Sequence, residues 1–171
     1  MTGRRIALLS LCAAALAAAG IWLWRIGFPS EERKIMRILN ECADSAGFRA
    51  DEPPAAAMLK LRRLEPHLDH RVTIRWRRNG SVREQEFDRR ELLGHLASTR
   101  KYLKELRVEL SDFGVTLDGG SAVAEGSAQI AGTARSQRRD DPALEEVRIE
   151  LVRRDGAWRV AAVDVRDFME R

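Results

Sequence analysis

The chain has 171 residues, 44% hydrophobic and 33% charged, with 12 glycines and 5 prolines; this is the balance of one globular domain, and no block of like charge or low complexity suggests a disordered tail. Its formal net charge is +4, but Arg4, Arg5 and Arg25 flank a hydrophobic N-terminal run, and without them 27 basic residues face 26 acidic ones, too even for a nucleic-acid-binding domain. The two cysteines, Cys12 and Cys42, fall in that run and on a predicted helix face, so no disulfide framework is expected.

Residues 6–24 are apolar apart from Ser10, follow a basic stub at residues 1–5, and end in Trp22, Trp24 and Arg25. The length suits one bilayer-spanning helix, and tryptophans at its end suit the membrane interface. A cleaved signal peptide is the alternative, since Ala17-Ala18-Ala19 resembles a cleavage site, but the apolar run continues past it. Leu9-Ser10-Leu11-Cys12 is a poor lipobox and Arg4-Arg5 a weak twin-arginine signal. The reading is a transmembrane anchor at 6–24, a linker at 25–30 and a domain at 31–171. The basic stub followed by an Ala/Leu core reads as an export signal. That places the domain on the periplasmic side of a bacterial inner membrane, although Arg25, Arg33, Lys34 and Arg37 pull the other way under the positive-inside rule.

Ser30 is a helix N-cap with Glu31 and Glu32 in the first turn. Ile35, Ile38, Leu39, Cys42 and Ala46 follow helical spacing as far as Gly47. A break at residues 51–54 precedes a second helix over 55–67, with Met58, Leu61 and Leu64 on one face. The period then becomes two: Val72, Ile74 and Trp76 alternate with polar residues, and Asn79-Gly80 turns into a return strand over 81–87. Asp88 caps a third predicted helix carrying Leu92, Leu93, Leu96 and Leu103.

Four strands follow. In the first, Leu106, Val108 and Leu110 alternate, then Phe113, Val115 and Leu117 on the opposite parity, which predicts a bulge near Ser111-Asp112. The second, over 122–135, has an almost bare face of Ala124, Gly126, Ala128 and Ile130. Val147, Ile149 and Leu151 mark the third, and Asp155-Gly156 turns into the last, over 158–168. There Trp158 and Val160 take one parity and Val163 and Val165 the other. Two readings fit: an apolar outer face that covers a homodimer contact with Arg148 and Glu150 at its rim, or a bulge after Ala162 that turns both sets to one core.

The order helix, helix, hairpin, helix, four antiparallel strands resembles the nuclear transport factor two-like superfamily, also called SnoaL-like or cystatin-like cone folds. Residues 147–163, an alternating strand, Asp155-Gly156, Trp158 and a second alternating strand, resemble that family's last hairpin. The resemblance implies an α+β cone: three helices packed on a strongly curved, mostly antiparallel sheet, behind the transmembrane helix. The fold hosts isomerases, dehydratases, transport factors and secretion scaffolds, so it leaves activity open. A short tail, one span and an outer cone domain look like the inner-membrane scaffold of type IV secretion machines.

No catalytic, cofactor-binding or metal-ligating set is expected. Ketosteroid-isomerase members use a tyrosine and acids in the pocket, but the only tyrosine, Tyr102, falls at the end of the third helix and does not match. Asp112 and Asp164 are conceivable pocket acids, read instead as solvated residues at a bulge and a strand end. Glu65, His67, Asp69 and His70 are the densest polar cluster; the two histidines at i, i+3 have metal spacing, but the helix ends there and its dipole favours histidine anyway. His95 reads as structural and Cys42 as a small core residue.

Residues 60–107 hold 14 basic and 7 acidic residues, whereas 108–171 hold 9 and 13. Arg71, Arg75, Arg77, Arg78 and Arg83 on the hairpin could meet anionic headgroups or an acidic partner; the alternative is a solvated face paired with Glu84 and Glu86. The functional expectation is a membrane-tethered, non-enzymatic binding or assembly domain, with a protein partner or a homodimer and no nucleic acid. Two alternatives stand beside it: a SnoaL-like isomerase, dehydratase or hydrolase acting on a small apolar molecule, and a module for anionic lipid.

Overall fold

The computed structural model of the chain describes residues 30–78, 80–134 and 143–167. The chain divides into two units, Met1–Lys34 and Ile35–Arg171; of the first, only residues 30–34 are described. The anchor at 6–24, with Cys12, lies outside the described residues, among which no helix is long and apolar enough to cross a membrane.

Ser30 caps the first helix through Arg33 N–H to Ser30 Oγ at 3.4 Å. This helix, α1, spans Glu31–Ala46 and turns Ile35 and Leu39 inward. Helix α2 spans Pro54–Leu64, its first turn opened by proline as the missing N–H allows, and a 3-10 turn at Glu65–His67 feeds strand β1, Leu68–Arg78. Strand β2 is Ser81–Asp88 and helix α3 is Arg89–Tyr102. Asp88 holds the N-cap position of α3 without a side-chain bond, and Leu103, expected on that helix, instead opens strand β3. Strands β3 (Leu103–Asp118), β4 (Ser121–Ala134), β5 (Ala143–Arg154) and β6 (Ala157–Asp167) complete an α+β fold of three helices on one six-stranded sheet.

The sheet order is β2-β1-β6-β5-β4-β3. Every pair is antiparallel except β1 with β6, so the sheet is mixed, the β2-β1 hairpin joined to the other four strands at one parallel seam. Its inner face carries Leu68, Val72, Phe87, Ala122, Ala124, Ala128, Val147, Ile149, Leu151, Trp158 and Val160, all buried with Ile35, Leu39, Leu64 and Leu92 of the helices.

Two bulges set the faces. In β3 the register slips by one residue between Ser111 and Gly114, and Asp112 takes a φ of 56°. This is the expected bulge, and it turns Phe113 and Val115 to the same inner face as Leu106 and Val108. The bare position on β4 has its reason here. A Cβ on Gly126 would lie 2.7 Å from Phe113 Cγ, closer still to Cδ2, and 2.8 Å from the Ser111 carbonyl oxygen. Glycine lets the ring and the bulged backbone lie directly on β4.

The second bulge decides between the two readings of β6. Glu150 pairs with Ala162 and Leu151 with Val160, leaving Ala161 as the extra residue. Beyond it Val163 stands opposite Ile149 and Val165 opposite Val147, on the side that also carries Trp158 and Val160. Val163 packs against the core. The apolar outer patch expected from Val163 and Val165 is therefore corrected: the bulge turns both valines inward.

Candidate functional site

Among the described residues, the space between the helices and the sheet holds a packed apolar core. Ile35, Leu39, Leu151 and Val72 are 0–1% exposed, and Met36, Ile38, Ile74, Leu93, Leu96, Leu110, Phe113, Val115, Ile130 and Val163 pack around them. The residues weighed as acids or bases do not meet there. Tyr102 is 73% exposed. Asp112 is exposed on its bulge, as expected. His70 is exposed on β1, and His67 Nε2 lies 2.9 Å from Glu41 Oε2 across to α1. His95 stacks edge-on against Phe87 at 5.2 Å. Among the described residues no three His, Cys, Asp or Glu side chains converge as a metal would require. Cys42 lies against the core, where burial foremost, with the Glu41 charge, pushes its thiol pKa from 9.0 up to about 12; it is a poor nucleophile at neutral pH.

Asp164 corrects its expectation. It is 5% exposed rather than solvated. It points to the outer face, where Arg77 Nη2 and Arg166 Nη2 each donate to Oδ2 at 3.3 Å. Strand register makes it the centre of a row that crosses five strands with alternating sign. Glu84 on β2 stands beside Arg75 on β1, then come Asp164 on β6, Arg148 on β5 and Glu125 on β4. Arg75 Nε donates to Glu84 at 3.0 Å and Arg148 Nη1 to Glu125 at 2.6 Å. Glu150 lies between the two arginines, 3.9 Å and 3.6 Å away. The bonds that Arg75 and Arg148 donate to Glu84 and Glu125 raise the pKa of both arginines further above their ordinary value. Arg71 likewise pairs with Glu86 at 3.1 Å. Much of the hairpin's basic charge is thus matched within the sheet, which is the solvated, paired face expected as the alternative to headgroup binding.

A second polar group pins the connection between α1 and α2. Glu52, 9% exposed at its side chain, accepts from Arg100 at 3.1 Å and faces Lys60 at 2.9 Å. Lys60 also donates to the Gly47 carbonyl at 3.0 Å, and Arg100 lies 4.8 Å over the Phe48 ring. Held there, Phe48 exchanges two backbone bonds with Leu106 of the edge strand β3, at 2.8 and 2.9 Å. Beside this bridge a groove of about 490 Å³ runs over the sheet edge, lined by residues 105–109 of β3, by Gln129 and Thr133 of β4, and by Ala43, Asp44 and Lys60. Neither the five-strand row nor this bridge is readable without register, because their members are scattered from Phe48 to Asp164.

No protein-family model matches the sequence, and no curated protein matches it. Solved structures do. The Kfla4162 protein from Kribbella flavida superposes with a TM-score of 0.67 at 12% identity, over 81% of this chain and 91% of that one. A candidate dehydratase of the NTF2-like family from Streptomyces avermitilis gives 0.59 at 12% identity, over 83% and 99%. A protein of unknown function with a cystatin-like fold from Nostoc punctiforme gives 0.58 at 9% identity, over 84% and 95%. At these identities the likeness is one of fold, and the chain has the NTF2-like, cystatin-like fold.

Proposed function

We propose that this NTF2-like domain is a non-enzymatic binding or assembly module, held at a membrane by residues 6–24 and working through its surface. The observation that carries the reading is the packed apolar core: Ile35, Leu39, Leu151 and Val72 are all but fully buried between the helices and the sheet, and we read this core as closed to a small substrate. General acid–base catalysis needs a positioned group within hydrogen-bond reach of its substrate. Asp112 is exposed, Asp164 is engaged by two arginines on the outer face, and His67 is paired to Glu41.

The test is complementation of a deletion strain together with fractionation. Alanine at His67, His70, Asp112 or Asp164 in turn is expected to leave function intact wherever the protein accumulates normally, and the full chain is expected in membranes at its uncleaved mass. A folded, abundant variant that abolishes function at one of these positions would refute the non-enzymatic reading. A soluble product beginning near Gly20 would refute the anchor.

A further inference from the structure

We infer that the far end of the β1–β2 hairpin is a membrane-contact tip that settles into a layer of anionic lipid headgroups. This rests on the reading of a domain held at a membrane and names the surface through which the domain meets the bilayer.

Burial falls away along the inner face of β1. Val72 is 1% exposed, Ile74 packs at the margin of the core, and Trp76 is 40% exposed. The sheet runs on past its core at this end. Strand β2 shows the same at the sheet edge: residues 81–86 are all exposed, and only Phe87, at the base of the hairpin, is buried. Register fixes what the tip presents. Trp76 stands opposite Arg83 on one face, and Arg77 opposite Val82 on the other. Val82 is 61% exposed and the Arg77 side chain 46%. Each face therefore sets one apolar side chain beside one guanidinium.

Charge selects the occupant. Residues 76–83 contain three arginines and no acid. The pairings that neutralise the rest of the hairpin stop short of it, since Glu86 takes Arg71 and Glu84 takes Arg75. Asp164 accepts from Arg77 but is shared with Arg166, so one carboxylate serves two guanidiniums. Arg83 is exposed and, among the described residues, has no acidic partner. Headgroup phosphates complement such charge, and a tryptophan ring is favoured at the boundary between headgroups and acyl chains. Shape agrees. The grooves of about 490, 380 and 310 Å³ include no residue of the tip. An end that projects, with arginine and an apolar side chain on both faces, suits a fluid layer that closes around it. The apolar run at 6–24, read as the anchor, keeps a bilayer within reach.

The experiment reconstitutes the full chain, carrying Trp22→Phe and Trp24→Phe, into vesicles of phosphatidylcholine with brominated acyl chains, with and without roughly one-third phosphatidylglycerol. Trp158 is 4% exposed within the core, so quenching by bromine reports Trp76. Strong quenching is expected in the anionic vesicles and little in phosphatidylcholine alone. Molar salt, where the screening length is about 3 Å, should reverse it. Arg83→Gln is expected to lower the ratio of docked to undocked tip about fivefold, and Arg83→Lys to preserve it. Arg83 is exposed, so both variants should fold. Equal quenching in the two kinds of vesicle, or quenching indifferent to salt and to Arg83→Gln, would overturn the proposal. So would an unquenched Trp76 together with loss of complementation by Arg83→Gln, which would make the tip a contact for a protein. Flotation of the chain with phosphatidylcholine vesicles reads the anchor by itself, so the tip and the anchor fail separately.

Discussion

Replacing Gly126 by alanine tests the part of the fold that bends the sheet. The added Cβ would meet Phe113 Cγ at 2.7 Å and the Ser111 carbonyl oxygen at 2.8 Å, separations that real Cβ contacts do not hold. The ring can rotate or shift, but the Ser111 oxygen is backbone fixed by the bulge and by pairing with Ser127. Overpacking of this kind costs about 1–3 kcal/mol, which for a domain of this size lowers Tm by roughly 4–12 °C. The assay is thermal unfolding of the full chain in detergent, in a double-mutant cycle with Phe113→Leu. Removing the ring takes away one of the two obstacles, so the pair should be less destabilised than the sum of the singles, by about 0.5 kcal/mol or more. An unchanged Tm for Gly126→Ala would refute the claim that the bulge at Asp112 presses Phe113 onto β4.

Val163→Glu places a carboxylate opposite Ile149 on the core-facing side of β6 and is expected to destabilise the domain by roughly 2–5 kcal/mol in urea titration; a variant of native stability that only changes oligomeric state would contradict the inward bulge. In a Cys12→Ser background, half-buried Cys42 should react with a thiol reagent at pH 8 far more slowly than an unhindered thiol, because little of it is thiolate there. Because its pKa rises from 9.0 to about 12 on burial, its contribution to stability is present below about pH 9 and is lost as the pH climbs toward 12; rapid labelling of the native protein would contradict its burial.

Much of this architecture is legible in the residue pattern, and the exceptions have identifiable causes. Helical spacing from Ile35 to Cys42, the alternation at Val72, Ile74 and Trp76, and the Asp155-Gly156 turn, with Asp155 at a φ of 51°, act locally, so pattern alone reveals them. The parity change between Leu110 and Phe113 signals a bulge because polar Ser111 and Asp112 mark the place of the extra residue. The same change in β6 falls within Val160-Ala161-Ala162-Val163, where nothing polar marks the slip, so an apolar second face and a bulge write the same sequence. The parallel seam of β1 with β6 joins residues about ninety positions apart, and no local pattern encodes it. The charge row fails to show for that reason: Glu84 and Arg75 share a hairpin, but Asp164, Arg148 and Glu125 join them only through three further strand pairings. Asp164 looks like a solvated strand-end acid until Arg77 is brought from β1 to meet it.

The central claim, an interior closed to small molecules, is tested most directly by thermal unfolding of the full chain in detergent against a panel of small apolar ligands and pressurised xenon. A filled cone has no site to offer, so no compound should raise Tm in a saturable, concentration-dependent way. A ligand that does, gaining about 2.7 kcal/mol at a hundredfold excess over its Kd and losing that effect when Leu151 is replaced by tryptophan, would contradict the closed interior and make the domain a ligand-binding cone.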